Sequence, residues 1–208
     1  LAFGAALVVG DFDGDGLDDL VVGAPQAIGG SGFVVRYFGA DLELGERLDI
    51  GDMSALSPAP NDAFGVALAA RDFDGDGLDD LAIGAPGRDG ARGVVFVRFA
   101  DDSAVMLTQD TLNWTVAQVG DHFGAALAAH DFDADGHADL AVAAPDDVVN
   151  GIPGAGTVAV IPGRPDGFDA PLAIHGLRMT QRWHQSLNTI GGTGGAEAFD
   201  HYGACLAR

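Results

Sequence analysis

The sequence predicts an all-β fold made of four-stranded antiparallel β-propeller blades. Three observations carry that prediction. First, Phe3-Gly4-Ala5-Ala6-Leu7 returns as Phe64-Gly65-Val66-Ala67-Leu68 and as Phe123-Gly124-Ala125-Ala126-Leu127, with a weaker fourth copy, Tyr202-Gly203-Ala204-Cys205-Leu206. Second, these phrases start at residues 3, 64, 123 and 202, in steps of 61, 59 and 79 residues. Repeats of that length suit propeller or solenoid units better than an ordinary globular core. Third, no long 3.6-residue periodicity occurs, so little helix is expected.

Each unit reads as four strands. In the first they are Phe3–Val9, Asp19–Gly23, Gly32–Phe38 and Glu46–Ile50. The second gives Phe64–Ala70, Asp80–Gly84, Gly93–Phe99 and Leu112–Ala117; the third gives Phe123–Ala129, Asp139–Ala143, Thr157–Ile161 and Leu172–Ile174. First strands are rich in Gly, Ala and Val, whose small side chains suit the innermost strand, where blades crowd the axis. Second strands are continuous apolar runs, as for strands covered on both faces. They stop at Gly-Ala-Pro, with Ala143 replacing the glycine in the third unit. Third strands are dominated by Val, Ile and Phe, with Gly and Pro in the gaps. The blades fall at about 1–60, 61–120 and 121–198, and 199–208 opens a fourth. The chain is expected to be part of a larger propeller, completed by the rest of a longer chain or by self-assembly, because closed propellers have roughly four to eight blades.

Between the first and second strand of each unit lies a nine-residue acidic loop. The three loops are Asp11-Phe12-Asp13-Gly14-Asp15-Gly16-Leu17-Asp18-Asp19, Asp72-Phe73-Asp74-Gly75-Asp76-Gly77-Leu78-Asp79-Asp80 and Asp131-Phe132-Asp133-Ala134-Asp135-Gly136-His137-Ala138-Asp139. All carry carboxylates at positions 1, 3, 5 and 9. Calcium is a hard cation that takes roughly six to eight oxygen ligands in a forgiving geometry. Four carboxylates, the backbone carbonyl of position 7 (Leu17, Leu78 or His137) and a water meet that demand. Glycine at position 6 permits the turn. Position 8 is Asp18 and Asp79 but Ala138 in the third loop, so position 9 is the better ligand. An EF-hand is excluded: position 12 is Val22, Ile83 and Val142 where that loop needs glutamate, and the flanks read as strands. Three Ca2+ sites are expected.

The order Phe-Gly, acidic loop, Gly-Ala-Pro resembles the FG-GAP repeat of the integrin alpha-subunit β-propeller and its bacterial relatives. The resemblance spans three full repeats and the opening of a fourth. It implies calcium in the turn between strands 1 and 2, with Asp11, Asp13, Asp15 and Asp19 as ligands in the first loop. Asp72, Asp74, Asp76 and Asp80 take those roles in the second, and Asp131, Asp133, Asp135 and Asp139 in the third. Ala134 and Ala143 depart from the pattern.

Composition agrees. The chain has 208 residues, 48% hydrophobic and 8% aromatic, in the range of a globular β protein. Net charge is −21; the twelve ligand-position acids leave −9 from everything else, and three calcium ions would bring −21 to −15. This acidity argues against nucleic acid, which needs a basic stripe. All 10 basic residues are arginine, which suggests a high-GC or halophilic bacterial source. Cys205 stands alone, so no internal disulfide forms. Loops of this type generally need extracellular calcium, which points to a secreted or cell-surface protein. No apolar run reaches the roughly 18 residues of a membrane span. The chain lacks a leader and an initiating methionine, and reads as a piece of something longer.

No nucleophile signature is visible. Gly191-Gly192-Thr193-Gly194-Gly195 lacks the Lys-Ser/Thr of a phosphate loop. Asp62, Asp121 and Asp200 recur before the aromatic-glycine pair and read as turn caps, as Arg88-Asp89-Gly90 reads as a turn. The segment 177–198 is irregular and holds Arg182, Trp183 and His184, residue types suited to recognition on a long connection. The function expected is a non-enzymatic, extracellular adhesion module that binds a protein or glycan. The alternative is the propeller of a secreted polysaccharide lyase or phospholipase.

Overall fold

In the computed structural model the described residues are 2–39, 41–112, 116–165, 167–168 and, as backbone only, 181–183. They form three four-stranded antiparallel sheets, each an up-and-down meander. The first blade comprises β1 (Leu7–Gly10), β2 (Asp19–Gly23), β3 (Val34–Tyr37) and β4 (Leu44–Leu48). The second comprises β5 (Leu68–Arg71), β6 (Asp80–Ala85), β7 (Val94–Arg98) and β8 (Ala104–Leu107). The third comprises β9 (Leu127–His130), β10 (Asp139–Ala144), β11 (Thr157–Ile161) and β12 (Gln181–Trp183). Helix is confined to short turns, among them α1 (Ile50–Met53) and α2 (Arg88–Ala91).

β5 lies against β1 on one side and β9 on the other, so the three first strands are neighbours and line an open funnel of about 590 Å³. Its lining is almost entirely Gly, Ala, Val and Leu. Bulkier residues there would hold the blades apart, which accounts for the small side chains of these strands. β6 and β10 are buried along their whole length, matching their unbroken apolar sequence.

The Phe-Gly and Gly-Ala-Pro phrases prove to be parts of one joint. Phe64 and Phe123 are fully buried. Each joins the preceding blade through a parallel bridge, Gly32 with Phe64 and Gly93 with Phe123. Within a blade, the Gly65 amide donates to the Gly84 carbonyl at 3.0 Å. Between blades, a Cβ at Gly23 or Gly84 would overlap the carbonyl oxygen of Gly65 or Gly124. Each Gly-Ala-Pro glycine therefore makes room for the next blade's Phe-Gly carbonyl. Phe12, Val34, Ile50, Phe64 and Phe96 fill the joint between blades 1 and 2; Phe73, Val97, Phe99, Phe123 and Leu140 belong to the cluster between blades 2 and 3.

Several boundaries differ from expectation. First strands begin four residues late, because Phe3–Ala6 and its copies form a turn with Gly4, Gly65 and Gly124 at positive φ. The fourth strand of blade 1 is Leu44–Leu48, and Ile50 instead opens α1, capped by Asp49 and Asp52. The fourth strand of blade 2 is Ala104–Leu107, not Leu112–Ala117. A tight turn held by the Phe99 amide on the Ser103 carbonyl returns the chain at once, and the Leu112 amide closes a later turn on Thr108. The segment 177–198 is not wholly irregular: Gln181–Trp183 pairs with β11, Trp183 opposite Val158. Leu172–Ile174, Asn113 to Thr115, His184, Gly191 to Gly195, Asp200, Cys205 and the fourth repeat lie outside the described residues. Asp62 and Asp121 do cap turns, accepting from the Ala59 and Gln118 amides at 2.7 Å.

Candidate metal centre

The acidic loops fold alike because each carboxylate first satisfies the backbone of its own turn. The position-1 aspartate accepts two amides: Gly14 and Gly16 on Asp11 at 2.7 and 3.0 Å, Gly75 and Gly77 on Asp72 at 2.6 and 3.0 Å, Asp135 and Gly136 on Asp131 at 3.2 and 3.1 Å. Positions 3 and 5 each accept from the amide two residues on, as Asp13 does from Asp15 and Asp15 from Leu17. Such short-range bonds are what aspartate offers a turn. They draw the remaining oxygens together. Position 4 lies in the left-handed region in every loop, at φ 76° for Gly14, 81° for Gly75 and 61° for Ala134. Alanine is strained there and glycine is not.

Position 9 is the buried anchor. Asp19, Asp80 and Asp139 are essentially inaccessible. Each opens the second strand of its blade and accepts an amide from the far end of the third strand: Gly39 at 2.8 Å, Ala100 at 3.1 Å and Gly163 at 3.0 Å. The other oxygen of Asp80 and Asp139 takes the Phe73 and Phe132 amides, both at 2.8 Å. The matching oxygen of Asp19, Oδ2, is buried with no hydrogen-bond donor. Carboxylate oxygens lie within 4.8 Å of one another for Asp11, Asp13 and Asp15, for Asp72, Asp74 and Asp80, and for Asp131, Asp133 and Asp139. Position 5 completes the first set and position 9 the other two.

These donor sets fit a hard divalent cation, being all oxygen and multiply charged, and the partnerless Asp19 Oδ2 lies at position 9 of the first loop. Burial pushes the Asp80 carboxyl up to about 7, against the Phe73 and Ala100 amides and assisted by Asp74 and Asp76. Burial also raises Asp19, Asp74 and Asp139, each helped by neighbouring loop carboxylates. For Asp131 burial is outweighed by the amides of Gly136, Ala134, Asp135 and Asp133, and the group is held low. A bound cation would relieve the repulsion that the crowded carboxylates share.

The position-7 side chain has a use its sequence did not disclose. Leu78 lies against Gly14 of the preceding loop, and the His137 imidazole lies against Gly75. The histidine is therefore not silent, and its Nδ1 is buried without a hydrogen-bond partner. A stranded polar atom costs about 1–3 kcal/mol. His137→Leu, which restores the residue of the other two loops, is expected to stabilise the protein by about 1 kcal/mol, read as a higher denaturation midpoint in urea. A lower midpoint would show that Nδ1 has a partner.

Of the other candidate residues, Arg182 and Trp183 sit on β12 opposite Ala159 and Val158. Val158 lies towards the end of its blade remote from the acidic loop, since the loop end is marked by Gly163 on Asp139. Two features escaped the sequence: Arg88, which pairs with the buried Asp62 at 2.9 Å, and Asp79, which reaches the loop of the preceding blade. Nothing local signals either.

Antiparallel four-stranded blades, joined through Phe-Gly and Gly-Ala-Pro phrases and carrying an acidic turn between strands 1 and 2, define a β-propeller repeat protein. The chain belongs to the FG-GAP repeat family, whose model matches residues 3–35, 64–97 and 123–161. Integrin alpha-5 of Xenopus laevis is 33% identical over 177 residues, covering 81% of this chain and 16% of that protein. Integrin alpha-V of Gallus gallus is 32% identical over 178 residues, covering 80% and 16%. Phosphatidylinositol-glycan-specific phospholipase D of Mus musculus is 34% identical over 152 residues, covering 68% of this chain and 18% of that protein. The chain thus spans less than a fifth of each of these relatives. No helix among the described residues is long and apolar enough to cross a membrane.

Proposed function

We propose that this chain is a calcium-binding, integrin-alpha-like propeller module that works outside the cell as a non-enzymatic adhesion or ligand-binding surface. The observation that carries the reading is the threefold recurrence of a loop that gathers three carboxylates, around the buried position-9 aspartate in the second and third loops and with the buried Asp19 close behind in sequence in the first. The ligands are Asp11, Asp13, Asp15 and Asp19; Asp72, Asp74, Asp76 and Asp80; and Asp131, Asp133, Asp135 and Asp139. The carbonyls of Leu17, Leu78 and His137 join them. Bound calcium would offset part of the loop's negative charge and rigidify the turn, and the turn amides hold the chain's own carboxylates in place for it. Calorimetric titration is expected to give three ions per chain. Asp72→Ala or Asp131→Ala should each remove one, and Asp18→Ala none. An ion lost from Asp18→Ala would mean that position 8 is a ligand.

Ligand recognition is assigned to the end of the blades opposite the loops, with Arg182, Trp183 and His184 as its first candidates and a protein or glycan as the ligand. The strand placement of Trp183 is compatible with this, since β12 runs towards that end. Trp183→Ala is expected to weaken binding on a glycan or matrix-protein array while leaving calcium content and melting temperature nearly unchanged. Unfolding of the variant would make Trp183 a core residue instead.

A second reading rests on the 34% identity to a phospholipase D: the module would be the propeller of a secreted hydrolase. Release of a phosphatidylinositol-glycan-anchored protein by the purified chain would favour it over the adhesion module.

A further inference from the structure

Position 8 of the acidic loop is not a ligand in the reading above, yet in the second blade it touches the first. The Asp79 amide donates to the Asp11 carbonyl at 3.0 Å, and Asp79 Oδ2 accepts the Asp11 amide at 3.2 Å. Both backbone groups of the residue that supplies the first ligand are thereby held by one residue of the next loop, 68 positions on. Gly10 makes this possible, because a Cβ there would collide with the Asp79 carboxylate. Between the second and third loops the backbone half of the contact recurs, the Ala138 amide donating to the Asp72 carbonyl at 3.1 Å. The side-chain half cannot, and the residue in the place of Gly10 is the bulky Arg71. Leu78 against Gly14 and the His137 imidazole against Gly75 add a side-chain contact to each link. Asp18, the same loop position in blade 1, is exposed; among the described residues it holds no other loop by a hydrogen bond, and its charge repels that of Asp79.

We infer that Asp79 is a positioning residue for the metal site of the preceding blade, and that the loops are linked in a chain through which occupancy of one site stiffens the next. The inference rests on the calcium reading. Its physical basis is simple. Binding rigidifies Asp11, Asp11 is bonded on both sides to Asp79, and Asp79 is adjacent to the ligand Asp80. A second ion then meets a loop already partly ordered, which is positive coupling without any change of shape. The coupling is strongest between loops 1 and 2, where two hydrogen bonds act, and weaker between loops 2 and 3, where one does.

The test uses the whole chain and calcium itself. Wild type, Asp79→Ala, Asp79→Asn and Asp18→Ala are titrated by calorimetry. Asp79→Ala is expected to keep all three ions but bind one of them about three- to tenfold more weakly, the scale of one ordinary lost hydrogen bond. Asp79→Asn retains an acceptor oxygen and should stay within about twofold of wild type, as should Asp18→Ala. An Asp79→Asn protein as weak as Asp79→Ala would assign the effect to charge and overturn the inference. So would unchanged binding in Asp79→Ala, or loss of an ion. Binding of no calcium by wild type would overturn the underlying reading as well, and so tells the two failures apart. Should Asp79→Ala not fold, amide exchange decides. In Asp74→Ala, whose second loop cannot fill, calcium at the first loop should still slow exchange of the Asp79 amide severalfold. Exchange that does not respond rejects the link.

Discussion

Calcium-free protein is expected to melt about 15–30 °C below the calcium-loaded protein. Each site filled at a hundredfold excess over its dissociation constant contributes about 2.7 kcal/mol, so three sites give about 8 kcal/mol. In a domain of roughly 150–250 residues each kcal/mol moves the melting temperature by about 2–4 °C. A steep dependence is expected from the way the loops join the sheets. The buried anchors Asp19, Asp80 and Asp139 tie the second strand of every blade to its third, so loop and sheet order together. Differential scanning calorimetry with calcium and after exhaustive dialysis measures this directly. Equal melting temperatures would remove the metal from the account of the fold, and stronger stabilisation by zinc than by calcium would replace the ion.

Without calcium, raising the pH from about 4 to about 7 is expected to destabilise the protein, the reverse of the usual behaviour of carboxylates. The Asp80 carboxyl is pushed by burial from 3.8 up to about 7. Below pH 4 it is protonated both folded and unfolded, and contributes nothing. Between pH 4 and 7 the unfolded chain has released the proton and the native chain retains it. The native state then binds more protons, and stability falls as pH rises through that window. Above pH 7 the penalty is complete, on the order of a few kcal/mol, since one pH unit is about 1.4 kcal/mol. Asp19, Asp74 and Asp139 are raised in the same direction. Calcium competes with these protons, so the loaded protein should gain stability over the same interval. Melting series at pH 4 to 8 with and without calcium test the crossing of the two curves. Parallel curves would show that the buried carboxylates do not hold protons.

The loops were legible because all their determinants lie within nine residues. The spacing of the acids and the turn glycines are local facts. The repeat period placed the blades, and the apolar runs of β2, β6 and β10 placed their centres. Outer strands were harder. Ala104–Leu107 is short and half exposed, whereas Leu112 is buried yet belongs to a turn, so hydrophobicity pointed to the wrong segment. β12 is Gln-Arg-Trp, a sequence with no strand pattern, and only its pairing with β11 defines it. The Asp79 clamp and the Arg88–Asp62 pair were invisible for another reason: each depends on a partner 68 or 26 residues distant, the first brought close by the packing of one blade on another and the second by the folding of blade 2 on itself.

The joint between blades has a consequence for how such a chain can change length. A Gly-Ala-Pro glycine fits only against the Phe-Gly carbonyl of the following unit, and the same fit serves blades 1 and 2 as serves blades 2 and 3. The two junctions are thus interchangeable parts. Removing or duplicating the span from Phe64 to the next Phe-Gly phrase leaves every junction with its proper partner, while an insertion between a phrase and its own Gly-Ala-Pro separates groups that must meet. The natural quantum of growth or loss is one whole period of about 60 residues, and the outer strands and blade connections are where other lengths can be absorbed.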